Sequence, residues 1–366
     1  MELPEHFRQF LQNIRPTANQ KRDARDAHRR LRQRVTDDEG LDEHVIGTLL
    51  QGSYRRSTDI RPVGEKKSDV DIIVVTNMHE NHFSPAEALL EFRPFLERHY
   101  KGCYEPQDRS WGIVDGEVEL DLVPTSAPSE AIAEQVRALR ESDLTTELGI
   151  EQYGLLRESF RAAAERSRLI TEALAKGDAW NREPLRIPDR KQMEWHDTHP
   201  VAQNDWTQQK NSDCNSHYVD VVRCFKWWRL NAAGEVHPKG YPLEALVGEN
   251  CPDGITSIAT GFAATAASVI RKYSQAAKPQ IWDHGVQKDV LARVTDEQWV
   301  DFYQAVWLVA GQAERALAET DKSVCVARWC DIFGDQFPND DDGGSGQREF
   351  LRPTGPATAV GRGRFA

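Results

Sequence analysis

The sequence predicts an α+β protein: a mixed sheet with flanking helices, followed by a second domain that is helical. Three observations predict it. Thr48–Leu50 and Ile72–Val75 are short apolar runs bounded by polar turn segments, the signature of buried strands. Trp111–Val114 and Glu117–Val123 flank Asp115-Gly116, a strong hairpin signal. After residue 216 the period changes to that of helices: Tyr218, Val221, Val222, Phe225 and Trp228 recur at three- and four-residue spacing.

The 366 residues suit about two domains. The expected division is an N-terminal helical segment over 1–47 packed on the core that follows, a sheet domain over 48–190, a helical domain over 191–337, and a tail over 338–366. Composition is that of a soluble globular chain, 39% hydrophobic and 28% charged. No apolar run approaches the roughly 18 residues of a membrane span, so no membrane partner is expected. The N-terminus, MELPEHFRQFLQNIRP, lacks a signal-peptide core, and a cytoplasmic location is the expectation. A net charge of −12 argues against coating an extended nucleic acid, but not against small nucleotides met by a local cationic pocket. The six cysteines include no C-x-x-C pair, so reduced thiols are expected; Cys214, His217 and Cys251 form the one spacing worth testing for zinc.

In chain order, Phe7, Phe10, Leu11 and Ile14 make one apolar helical face, which Pro16 interrupts. Ala24, Ala27, Leu31 and Val35 stripe a second helix dense in Arg and Lys. Ser84-Pro85-Ala86-Glu87 starts a helix expected to run to Tyr100-Lys101-Gly102. Residues 129–175 read as helical, and 177–215, with Pro184, Pro188 and Pro200, as a long irregular crossing. Within it His196, His199, Asn204, Gln208 and Asn215 are the polar candidates for contacting a ligand. Ile255–Ile270 and Trp299–Ala318 are further helices, the first with small residues that permit close packing. Arg223 and Arg229 are expected to be surface charges. The Gly-, Pro- and Asp-rich tail is expected to lack order without a partner.

The chemistry concentrates in residues 48–75. Asp69 and Asp71 precede Ile72–Val75, and a strand's period of two puts both carboxylates on one face. Like charges so close repel unless one is protonated or a cation lies between them. Gly52-Ser53, at the end of the preceding strand, supplies backbone N–H groups and a hydroxyl suited to a phosphate. In Glu117–Val123, Asp121 brings a third acid, with Glu119 its rival on the same face. Asp69, Asp71 and Asp121 with two Mg²⁺ ions define in-line attack of a hydroxyl on an α-phosphorus, with pyrophosphate leaving.

Gly52-Ser53, Asp69-x-Asp71 and the later Asp121 resemble the polymerase-beta-type nucleotidyltransferases. LLQGSYRRSTDIRP, SDVDIIVV and VELDLVPT are similar to the bacterial cyclic GMP-AMP synthase-like members, the cyclic-oligonucleotide synthases of CBASS anti-phage systems. VVRCFKWWR resembles the family helix whose lysine contacts the triphosphate, here Lys226. HPKGYPLEALV resembles the Ser-Tyr segment that binds phosphate and stacks on a base: Tyr241 fits the stacking role, while Gly240 replaces the serine and leaves a backbone N–H. Gln51 falls where the family places a residue against the nucleotide. The resemblance, over roughly residues 1–335, implies a polymerase-beta-like mixed sheet with an oligoadenylate-synthase-like helical domain. It implies NTP substrates including ATP, condensed and cyclised into a cyclic di- or trinucleotide, with Mg²⁺ for which Mn²⁺ can substitute. It also implies an activating or conjugating protein partner at the C-terminal tail. A linear transferase acting on an RNA end or small acceptor, and a non-catalytic nucleotide-binding or antitoxin-like module, are the alternatives.

Overall fold

The computed structural model describes residues 1–142, 183–232 and 234–339. Its elements are α1 (Pro4–Ile14), α2 (Ala18–Asp37), β1 (Val45–Gln51), α3 (Gly52–Arg55), β2 (Ser68–Thr76), α4 (Pro85–Leu90), α5 (Arg93–His99), β3 (Tyr104–Pro106), β4 (Trp111–Asp115), β5 (Val118–Pro124) and α6 (Glu130–Ser142). Then follow β6 (Leu185–Asp189), β7 (Glu194–Thr198), α7 (Pro200–Asp213), α8 (Tyr218–Asn231), α9 (Gly240–Asn250), α10 (Ile258–Lys272), α11 (Asp296–Ala318) and α12 (Lys322–Phe333). Contacts divide the described residues into a sheet unit, within Pro16–Ser57 and Pro62–Asp205, and a helical unit of Met1–Arg15, Thr58–Arg61 and the chain from Trp206 on. By contact the expected 1–47 segment thus divides at Pro16.

The sheet unit holds a five-stranded mixed sheet in the order β1-β2-β5-β4-β3. β2 and β5 run parallel, and the other neighbours are antiparallel. The period of two sorts β2 cleanly. Val70, Ile72 and Val74 enter a core with Ala24, Ala27, Leu31 and Val35 of α2 and with Leu120 and Leu122 of β5. Ile73 and Val75 enter a second core with Leu49, Val123, Ile132, Val136 and Ile187. Asp69, Asp71, Glu119 and Asp121 share the parity of this second face. Thr17 starts α2 with a capping box: its side chain accepts from Gln20 N–H while Gln20 reaches back to Thr17 N–H.

Two expectations are corrected. The helix from Pro85 breaks into α4 and α5 because Pro94, second in α5, cannot donate back into a continuous helix. Residues 177–215 are not an irregular crossing in their described part: β6 and β7 form an antiparallel hairpin and α7 follows it. Residues 177–182, most of 129–175, and the tail from residue 340 lie outside the described residues.

In the helical unit the α1 face is buried as its spacing predicts. Phe7 meets Trp329 edge-on with centroids 4.9 Å apart, and Phe10 lies 4.5 Å from Phe333. Among the described residues no helix is long and apolar enough to cross a membrane.

Candidate active site

β1 delivers Gln51 opposite Asp71 in the antiparallel register, and the chain then turns sharply into α3. Gly52 makes that turn at φ +77°. A Cβ on it would stand 1.7 Å from Asp71 Oδ2, so the carboxylate lies directly against the glycine backbone. Ser53 follows, half-buried, in the first turn of α3. On the other side of β2, Asp71 pairs in register with Asp121 and Asp69 with Glu119. Adjacent strands lie about 4.8 Å apart, so parallel pairing places these acids side by side on one face. Exposure grades across the group: Asp69 is exposed, Asp71 half-buried and Asp121 buried. The predicted neighbourhood of the third strand is therefore present, and the rival acid Glu119 stands beside Asp69 rather than Asp71.

Gln51 Oε1 is buried and has no hydrogen-bond partner among the described residues. Leaving a buried acceptor unmatched costs about 1–3 kcal/mol. Such a group beside a phosphate-type loop is suited to a ligand's N–H or O–H. Asp205, in the second turn of α7, has its carboxyl pushed up by burial, opposed by Arg55 of α3 and by His199.

The donor set fits a hard divalent cation: oxygen ligands on rigid strands, with backbone close enough to Asp71 that no side chain intervenes. Among the described residues no three His, Cys, Asp or Glu side chains are already gathered in a metal-holding group, the Cys214–His217–Cys251 spacing included. Cys214 and Cys251 do meet, with Sγ atoms 3.8 Å apart.

The remaining candidates stand in the helical unit. Lys226 is buried in α8, its Nζ 2.8 Å from Glu244 Oε1, 3.0 Å from the Thr58 carbonyl and 3.3 Å from the Thr58 hydroxyl. Gly240 opens α9 at φ +59° with nothing within 4 Å of where a Cβ would stand, so the backbone angle and not space calls for glycine there. Tyr241 follows it, half-buried, its hydroxyl accepting from His284 N–H at 3.4 Å. Arg223, expected at the surface, is buried at 1% exposure and paired with Asp220 at 3.0 Å. Glu244 and Thr58 are the residues here that sequence reasoning misses; an acid one helical turn beyond Tyr241 is the available signal.

Comparison with known proteins fits this geometry. The family model described as the Second Messenger Oligonucleotide or Dinucleotide Synthetase domain matches residues 1–134. The cyclic AMP-AMP-GMP synthase of Enterobacter hormaechei is 40% identical over 389 residues, covering 100% of both chains. The chain belongs to this family of cyclic GMP-AMP synthase-like nucleotidyltransferases. Two solved structures share the synthase fold. Escherichia coli CdnC, in a complex with HORMA-deltaN, superposes with TM-score 0.64 at 14% identity, covering 92% of this chain and 99% of that one. Vibrio cholerae DncV cyclic AMP-GMP synthase, bound to a linear intermediate, gives 0.63 at 13%, covering 91% and 96%. As a synthase of this family the chain is an enzyme of nucleotidyl transfer that makes cyclic oligonucleotides, with nucleotides as substrates and a general dependence on divalent metal.

Proposed function

We propose that the chain joins two adenylates and one guanylate into a cyclic trinucleotide, from ATP and GTP, as an intracellular signal in anti-phage defence. The observation that carries the catalytic reading is the Asp71–Asp121 register with Gly52 closed against Asp71. The adenine and guanine choice is supported by the product for which the 40% identical relative is named.

In this reading Gly52 and Ser53 take the triphosphate through backbone N–H and hydroxyl, and Gln51 Oε1 accepts from the bound nucleotide. Asp69, Asp71 and Asp121 would hold Mg²⁺, whose positive charge would lower the pKa of the attacking hydroxyl and offset charge on the departing pyrophosphate. Asp121, the buried acid, stands on the side of β2 away from Gln51, where an incoming hydroxyl is oriented. Lys226 steadies the triphosphate, the Gly240 N–H takes a phosphate oxygen, and Tyr241 stacks on a base. The tail over 338–366 serves as a handle for a protein partner, a reading supported by its composition. A chain truncated after residue 337 that still signals normally beside its neighbouring genes contradicts that last role.

The test is product mass. Incubation with an equimolar NTP mixture and Mg²⁺ or Mn²⁺ is expected to yield a phosphatase-resistant product of two AMP and one GMP units. An Asp69→Asn/Asp71→Asn variant is expected to make none. A product with a terminal phosphate, or a double variant that retains synthesis, removes the assignment.

A further inference from the structure

A groove on the helical unit takes no part in the chemistry above. It is a cavity of about 520 Å³ bounded by the end of α8, the turn through Gly234 and Val236, α11 and α12. On α11, spacing of three and four residues puts Asp301, Gln304, Leu308 and Gln312 on one face, and that face lines the groove. Trp228, Val236 and Ile332 are its buried apolar floor. Leu308 lines it while 58% exposed, and its neighbour Trp307 is 61% exposed. Large apolar side chains left in water side by side mark a contact surface. Three carboxylates also line the groove. Glu235 is taken by Lys239. Asp301 and Asp331 are exposed, and among the described residues neither stands in an ion pair. An apolar floor beside two uncommitted acids suits a segment with apolar side chains between cations.

The chain carries such a segment close by. α12, which supplies Asp331 and Ile332, continues to Phe337, whose ring lies 5.9 Å from that of Phe333. Residues 343–366 hold four arginines and one glutamate, in a chain of net charge −12. Within them, Arg348-Glu349-Phe350-Leu351-Arg352 sets an apolar pair between two arginines. Nine residues lead from Asn339 to Arg348, a reach of up to about 30 Å, whereas α12 is about 18 Å long. A tether this short raises the segment's effective concentration to about the millimolar range, so modest contacts suffice. Asp340, Asp341 and Asp342 share the sign of the groove and fall within the tether. We propose that Arg348–Arg352 docks in this groove, Phe350 and Leu351 covering Leu308 and the apolar floor, and the two arginines meeting Asp301 and Asp331. Groove and segment belong to one unit, and the proposal is independent of the nucleotide site.

The experiment is photo-cross-linking in the full chain, with p-benzoylphenylalanine in place of Phe350 and the products mapped by peptide mass spectrometry. Cross-links within a single chain onto Leu308 and its α11 neighbours are expected. Asp301→Lys/Asp331→Lys is expected to lower their yield about tenfold. Adding Arg348→Glu/Arg352→Glu reverses both charge pairs and is expected to restore the yield to within about twofold. Arg348→Glu/Arg352→Glu alone changes nothing in the helices, so it tests the proposal if the α11 and α12 substitutions disturb folding; the same tenfold loss is expected. Cross-links at the mass of two chains, cross-links that miss the groove, or a yield unmoved by the charge reversals overturn the proposal.

Discussion

At Gly52 two constraints meet, and each alone requires glycine. The backbone is left-handed at φ +77°, where any Cβ costs about 1–2 kcal/mol. The space is also taken, because Asp71 Oδ2 would be 1.7 Å from the new carbon. Gly52→Ala must therefore push the Asp71 carboxylate out of its place or unwind the turn. The expected result is a loss of about 1–3 kcal/mol in urea unfolding and a fall in pyrophosphate release of about 100-fold. The Gly52→Ala protein keeping near wild-type turnover would mean that Asp71 has no fixed station in the reaction. Both residues are legible from their local pattern, but their contact is not, since it joins a turn to the following strand across 19 positions of sequence. The burial of Glu244 and Arg223 is hard to read for a related reason. A charged side chain reads as surface until the fold supplies its partner: here Glu244 accepts from the Lys226 ammonium, and Arg223 donates to Asp220 and to the Asp59 carbonyl.

Among the elements, legibility follows the strength of the period. β2 and β5 carry alternating or continuous apolar residues, and Asp115-Gly116 fixes the β4–β5 hairpin, with Gly116 at φ +63°. The β6–β7 hairpin carries neither cue. Pro188 sits within β6, tolerated in a two-stranded ladder, and the left-handed turn residue is Met193 at φ +56° instead of a glycine. Asp189 makes up for the missing turn chemistry by accepting from the N–H groups of Lys191 and Gln192. The small residues of α10 do give the close packing that its composition predicts. A Cβ on Gly261 would come within 2.6 Å of Ile255 Cδ1 and 2.8 Å of Val221 Cγ2. Gly261→Ala gains about 1 kcal/mol of helix propensity but forces those two side chains to move, which typically costs about 1–3 kcal/mol. A net loss of about 1 kcal/mol is expected by urea denaturation. A gain would show that Ile255 swings aside freely, since its Cδ1 is the end of a flexible chain and Val221 is the stiffer neighbour.

For the whole molecule, the acidic net charge of −12 predicts that mild acid relieves self-repulsion, yet two buried histidines act in the opposite direction. His28, in the sheet unit, is lowered to about 3 by burial, reinforced by Arg32, Arg29 and Arg25. His284, in the helical unit, is lowered to about 4 by burial and by Lys210, with its ring stacked on Trp206 at a centroid distance of 3.4 Å. Both folded values lie below the unfolded value of 6.5. As pH falls through that value the unfolded chain takes up protons that the folded chain refuses, so stability drops with falling pH. Each imidazole contributes a slope approaching about 1.4 kcal/mol per pH unit, and about 2 kcal/mol between pH 7.5 and 5. Over the same range most carboxylates remain ionised, so relief of self-repulsion is small and the histidines dominate. Urea titrations across pH 7.5 to 5 are expected to show the chain losing stability. His28→Gln should flatten the pH dependence of the sheet unit's transition and His284→Gln that of the helical unit's. Unchanged slopes in both variants would mean that these rings take up protons in the folded state, and that the buried faces of α2 and α7 admit water.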